Sequence, residues 1–144
     1  MNQEKHLISG PISPEFVAQK ISAHHRKHEI GAHAVFMGQV RADIDKDRTT
    51  KGIEYSAYEE MVDKIISGIK DDLFSRFDDL ICLHIWHSTG IVEAGEISLF
   101  VLVSSGHRKQ SFAALEDCIE QIKKKLPVWK KEIFSDGTCK WKEG

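Results

Sequence analysis

The 144-residue sequence predicts an α+β fold with helices packed on an antiparallel or mixed sheet. Apolar residues spaced three and four apart recur in separate segments, and β-rich or alternating runs lie between them. The turn signals Glu93-Ala94-Gly95 and Asp136-Gly137 join neighbouring runs into hairpins. Composition agrees, because 41% hydrophobic residues, 29% charged residues and three prolines provide for a core and show too little bias for disorder. A chain of this length makes one core, and no linker, repeat or low-complexity tract divides it, so residues 1–144 are expected to form a single domain.

Each element has its own reason. Ser13-Pro14-Glu15 supplies an N-cap, a first-turn proline and an acid suited to the helix dipole, and with Gly31 as the stop a helix is expected over about 14–29. Ala34 to Val40 reads as a buried strand, and the polar stretch Arg41–Lys51 reads as a mobile loop. Ile53, Tyr55 and Ala57 alternate with Glu54, Ser56 and Tyr58, as in a half-buried strand. Met61, Ile65, Ile69 and Leu73 then mark an amphipathic helix. Leu80–His87 and Glu96–Ser105 form the first hairpin. Phe112, Leu115, Ile119, Ile122 and Leu126 give the strongest helical stripe, which Pro127 ends. Val128–Phe134 and Thr138–Trp141 flank the last turn.

Charge and cysteine content remove whole classes of function. Twenty Lys and Arg against 22 acids leave a net −2, which gives no global field for a polyanion, so nucleic acid is not an expected partner. The longest largely apolar run, Ile97–Val103, is far short of the roughly 20 residues that span a bilayer, and Met1–Lys5 lacks a signal-peptide core. The expectation is a soluble, cytoplasmic protein with no membrane partner. Cys82, Cys118 and Cys139 show no CxxC spacing, which points to thiols in a reducing compartment. Charge is unevenly placed: His107–Lys142 holds nine Lys and Arg against five acids, a net +4.

The motifs GxxxxGK[ST], GxGxxG, HExxH and GxSxG are absent, which takes away the main support for nucleotide hydrolysis, dinucleotide redox, zincin and α/β-hydrolase chemistry. His24, His25, His28 and His33 read as a solvated helix face, so no metal site is expected. Ser104–Arg108 (SSGHR) lies where a strand hands over to a helix. It reads equally as a phosphate pocket of helix N–H groups, His107 and Arg108 or as a serine-capped helix start. Ile122–Glu132 (IKKKLPVWKKE) concentrates five lysines around a helix stop. Most charge runs are solvated, but Lys123 falls at the margin of the apolar stripe and Lys130 lies in a pairing segment. A desolvated lysine among other cations works as a nucleophile or proton-transfer group near neutral pH.

Four segments together carry a resemblance: Gly31–Arg41 (GAHAVFMGQVR), Tyr55–Met61 (YSAYEEM), Val103–Arg108 (VSSGHR) and Lys125–Glu132 (KLPVWKKE). In this order and spacing the chain resembles the MoaE family, the large catalytic subunit of molybdopterin synthase. The resemblance implies an α/β hammerhead-type domain with an additional small β subdomain. It implies sulfur transfer from the C-terminal thiocarboxylate of a small ubiquitin-like carrier to cyclic pyranopterin monophosphate, two sulfurs forming the molybdopterin dithiolene. No cofactor of its own is implied. A homodimer with one carrier on each protomer, a heterotetramer, is the implied assembly. The family's basic pocket falls on Arg41, His107, Arg108, Lys123 and Lys130, with Gln39, Val40, Lys131 and Glu132 on the same segments. Lys123 is then the group that acts on the substrate, and Lys130 assists proton transfer or holds the thiocarboxylate. One departure is His87-Ser88-Thr89-Gly90, where many members carry His-Arg-x-Gly.

The competing class is a non-catalytic module that docks a carrier tail or a phosphorylated metabolite without chemistry. Lys123 and Lys130 together with His107 and Arg108 favour the enzyme. A weak RNA-binding domain would need aromatics interleaved with the basic residues, and the last third offers mainly Trp129 and Trp141.

Overall fold

A computed structural model describes residues 5–142; Met1–Glu4, most of the segment read above for a signal-peptide core, and Glu143–Gly144 lie outside the described residues. The elements are β1 (Leu7–Ser9), α1 (Pro14–Ser22), β2 (Ala32–Gln39), β3 (Ile44–Asp45), β4 (Arg48–Ala57), α2 (Glu59–Arg76), β5 (Leu80–Glu93), β6 (Ile97–Ser105), α3 (Arg108–Lys125), β7 (Val128–Phe134) and β8 (Cys139–Lys142). The sheet runs β2-β6-β5-β4-β7-β8, with β1 beside β5 and β3 beside β4. Among the described strands only β1–β5 is parallel, so this is the α+β class expected, with a mixed sheet.

Strand alternation sorts the core into two faces. On one face Leu83, Ile85, Val101 and Val103 meet α2 and α3 through Val62, Ile66, Ile69, Leu73, Ala114, Cys118 and Ile122. On the other, Trp86, Phe100 and Leu102 meet α1 through Val17, Phe16 and Ile21. A third cluster, Val40, Ile53, Tyr55 and Val92, lies where β4 and β5 pair. Burying such a side chain contributes about 1.5–3 kcal/mol.

Both long helices bury a face rotated from the stripe read in the sequence. In α2 the buried residues are Val62, Ile66, Ile69 and Leu73, while Met61 is 52% exposed. In α3 they are Ser111, Ala114, Cys118 and Ile122, while Phe112 is 61% exposed. Small residues let α3 approach the sheet closely, and the larger Leu115 packs from the side.

Three local expectations need correction. Helix α1 begins as read, with Ser13 Oγ accepting from the Phe16 N–H at 3.1 Å, but it stops at Ser22, and residues 23–29 form turns because no apolar stripe continues there. His24 consequently leaves the solvated face and is only 7% exposed. Arg41–Lys51 is a hairpin, not a loop: β3 pairs with β4, Lys46 takes φ 59° at the turn, and Arg48 stacks 3.8 Å over Phe134 while donating to Asp45 at 3.2 Å. Finally, β5 continues through Gly90 (φ 79°), pairing with β6 up to His87 and with β4 from Gly90 onward. One strand thus links the two parts of the sheet, and the candidate site forms at that crossing.

Candidate active site

A cavity of about 330 Å³ opens where the C-terminal end of α3 meets this crossing, a size suited to a small-molecule ligand. Its floor includes Tyr55 from β4 and His87 from β5, its walls Phe36 and Leu99 from the β2–β6 pair, and its rim Arg41, Lys123, Lys130 and Lys142. The only acid lining it among the described residues is Asp43, whose carboxylate takes the Arg41 Nε at 2.5 Å.

Each cation has a structural reason to be there. Lys123 stands in the last turn of α3, one residue after buried Ile122, where a cation also complements the helix dipole. Pro127 then turns the chain into β7. The register of β7 sets Lys130 opposite Tyr55 on one side and Lys142 of β8 on the other. Like charges directly opposite one another across strands are unfavourable. Burial first, then the nearby Lys142 and Lys123 charges, pull Lys130 below the ordinary lysine range, which favours its neutral, proton-accepting form.

The floor is polar but internally satisfied. Tyr55 donates its hydroxyl to Ser98 Oγ at 3.1 Å, and burial raises its pKa. His87 is pushed down to about 4, chiefly by burial and further by Lys130. Its Nδ1 lies 2.8 Å from the Ser88 carbonyl, so this nitrogen carries the proton and Nε2 is an acceptor. A neutral imidazole edge-on to Tyr55, centroids 5.1 Å apart, provides a flat surface under the cations.

The expected site residues divide. Gln39, Val40, Arg41, Lys123 and Lys130 line the cavity. Val40 is buried, and its N–H and carbonyl are committed to Glu96 and Gly95. Lys131, one residue past Lys130, is paired with Glu54 at 3.2 Å, and Glu132 accepts from Thr50; neither lines the cavity. His107 and Arg108 stand at the other end of α3, about 22 Å from Lys123 at 1.5 Å per residue. There the His107 N–H donates to Asp79 at 2.6 Å, and its ring Nδ1 lies 3.2 Å from the same oxygen. At this helix start no serine side chain caps the helix, and the His107 N–H is taken by a carboxylate of the same chain. The side chain of His107 is 90% exposed.

Tyr55, Ser98 and Lys142 were not singled out from sequence as site residues. A signal for Lys142 existed, because a hairpin closing around Asp136-Gly137 sets it opposite Lys130. No local pattern brings Ser98 to Tyr55, 43 residues away.

The MoaE protein family profile matches residues 9–125. The chain belongs to the MoaE family. Molybdopterin synthase catalytic subunit 1 of Aedes aegypti is 40% identical over 115 residues, covering 78% of this chain and 74% of that protein. The crystal structure of molybdopterin synthase from Staphylococcus aureus superposes with a TM-score of 0.85 at 32% identity, covering 99% of this chain and 100% of that one. The complex of subunits 1 and 2 of molybdopterin-converting factor from Helicobacter pylori has the same fold, with a TM-score of 0.79 at 20% identity over 95% of this chain and 88% of that one. The MoaE segments quoted from the sequence thus contribute to one structure: Gly31–Arg41 forms β2 and the cavity rim, and Lys125–Glu132 leads into β7 with Lys130.

Proposed function

We propose that this MoaE-family chain, as one domain, is the catalytic subunit of a molybdopterin synthase. It moves sulfur from the C-terminal thiocarboxylate of a small carrier to cyclic pyranopterin monophosphate, and Lys123 and Lys130 carry the chemistry. The observation that supports this most is the ring of Arg41, Lys123, Lys130 and Lys142 around a cavity with a single acid among the described residues. A phosphate-bearing, ring-sized substrate and a tail ending in an acidic group both need such a field.

The roles follow from position. Lys123, at the open rim, acts on the substrate where the carrier tail enters. Lys130, partly desolvated, accepts and returns the proton. Arg41 holds the phosphate, Gln39 contacts the substrate at the rim, and the buried Val40 shapes the wall. Lys131 and Glu132, through Glu54 and Thr50, fix β7 against β4 and so hold Lys130 in place. His107 and Arg108 reach a substrate in this cavity only if a second copy of the chain presents them. The homodimer implied by the sequence supplies that copy, and the open edge of β2, with Met37 49% exposed, is a surface for it. One carrier on each protomer then gives the heterotetramer. No described helix is long and apolar enough to cross a membrane, and three cysteines outside any disulfide suit the cytoplasm.

Incubation with the pterin precursor and thiocarboxylated carrier tests the reading, with dithiolene product as the expected result. A carrier that docks without any product forming would make the chain a binding module.

A further inference from the structure

The α1 face of the sheet, opposite the lysine cavity, changes character where α1 ends. Up to Trp86 and Phe100 it is covered by apolar side chains. Beyond Ser22 the turn brings His24 over β5, where Cys82 and His84, two residues apart, point to the same face. His24 is 7% exposed, Cys82 4%, and His84 is half-buried. One ligand atom from each of the three lies within 4.8 Å of the others. His24 Nδ1 sits 2.7 Å from the Lys20 carbonyl. A carbonyl only accepts, so Nδ1 carries the proton and Nε2 keeps its lone pair, the arrangement that orients metal-binding histidines.

Packing alone accounts for part of this cluster: His84 stacks on Trp86 at 5.5 Å, and His24 meets His84 edge-on at 5.0 Å. It does not account for a sulfur and two imidazoles, drawn from two distant segments, converging in a nearly dry position. The sulfur already accepts from a cation, the Lys27 ammonium at 3.0 Å. Lys27 is exposed, so its head can move into water when another cation takes the sulfur.

We propose that His24, Cys82 and His84 form a binding site for a divalent transition-metal ion of the zinc class, with its fourth position open. A tetrahedral ion with bonds of about 2.0–2.3 Å holds its ligands about 3.3–3.8 Å apart, so the donors need to close by about 1 Å. One thiolate with two imidazoles selects zinc, cobalt, nickel or copper over magnesium and calcium. The bound ion would tie the turn after α1 to β5, and its stabilisation would follow its concentration relative to Kd. This site is independent of the sulfur-transfer reading.

Cobalt(II) titration of the full, chelator-stripped chain tests it. The expected result is saturation at one equivalent, with a thiolate-to-cobalt charge-transfer band in the near ultraviolet, tetrahedral bands in the visible, and displacement by zinc. Cys82→Ser should remove the charge-transfer band and weaken binding about 100-fold or more, and His24→Gln should weaken it similarly. Cys139→Ser, at an exposed cysteine, should change neither. Circular dichroism reports folding; should Cys82→Ser unfold, His24→Gln decides. Absence of the band in the wild type, its survival in Cys82→Ser, its loss in Cys139→Ser, or full-strength binding by folded His24→Gln would overturn the site.

Discussion

The two ends of α3 are both rich in basic residues, yet the structure treats them oppositely. At the N-terminal end the Asp79 carboxylate accepts from the His107 N–H, and the Gly106 N–H bonds the Asp79 carbonyl. Gly31 packs so tightly against Gly106 that an added Cβ would lie 2.1 Å from its carbonyl oxygen. At that end an acid of the same chain faces the cations, while the His107 side chain stays exposed. At the C-terminal end no carboxylate reaches Lys123 or Lys130 among the described contacts; cations face one another across β7 and β8, and a cavity stays open between them. A helix start leaves several N–H groups without intrahelical partners, and here Asp79 takes that of His107. A crowd of lysines is costly to the fold, and here that cost sits where an anion would relieve it.

The largest expected difference between the ends is catalytic. Lys123→Ala should lower product formation about a thousandfold or more with an unchanged circular dichroism spectrum, and Lys130→Ala about a hundredfold. Equal, total losses in both would mean that the lysines act as one unit. Next in size is the pH–rate profile. With Lys130 as the proposed proton acceptor, the rate should rise with pH, with an inflection below the ordinary lysine range. Lys142→Ala removes one opposing charge and should move that inflection upward. An unmoved inflection would take Lys130 out of the profile. The smallest effect belongs to the end that Asp79 faces. Asp79→Ala should cost about 1 kcal/mol in urea unfolding, as a lost helix cap does, and, because Asp79 holds His107 and not the reacting atoms, should change KM more than kcat. A large fall in kcat with unchanged KM would place His107 at the reacting atoms and not at substrate binding.

The same contrast marks what the sequence made legible. The α1 start, the hairpin turns and the Ile53–Tyr55 alternation are local patterns, and the structure contains them. The placement of Lys123 at the margin of the α3 stripe and of Lys130 in a pairing segment was legible, and both line the cavity; their choice as catalytic groups came from the MoaE resemblance and stands as a proposal. The role of Asp79 was not, since nothing nearby in sequence says that a carboxylate 28 residues upstream will cap α3. Nor was the buried face of α3, where Ala114 and Cys118 outrank Phe112: approach distance, not hydrophobicity, selects the face. His24 was misread for a related reason, as its burial depends on β5, about 60 residues later.

The central claim is that sulfur moves in the open lysine cavity. The most direct measurement is a single turnover with carrier whose thiocarboxylate sulfur is radiolabelled, mixed with precursor and either wild-type chain or Lys123→Ala, with carrier binding followed in the same samples. The account predicts label on the pterin product with the wild type, and label retained on bound carrier with Lys123→Ala. Transfer of label at wild-type rate by Lys123→Ala would contradict it.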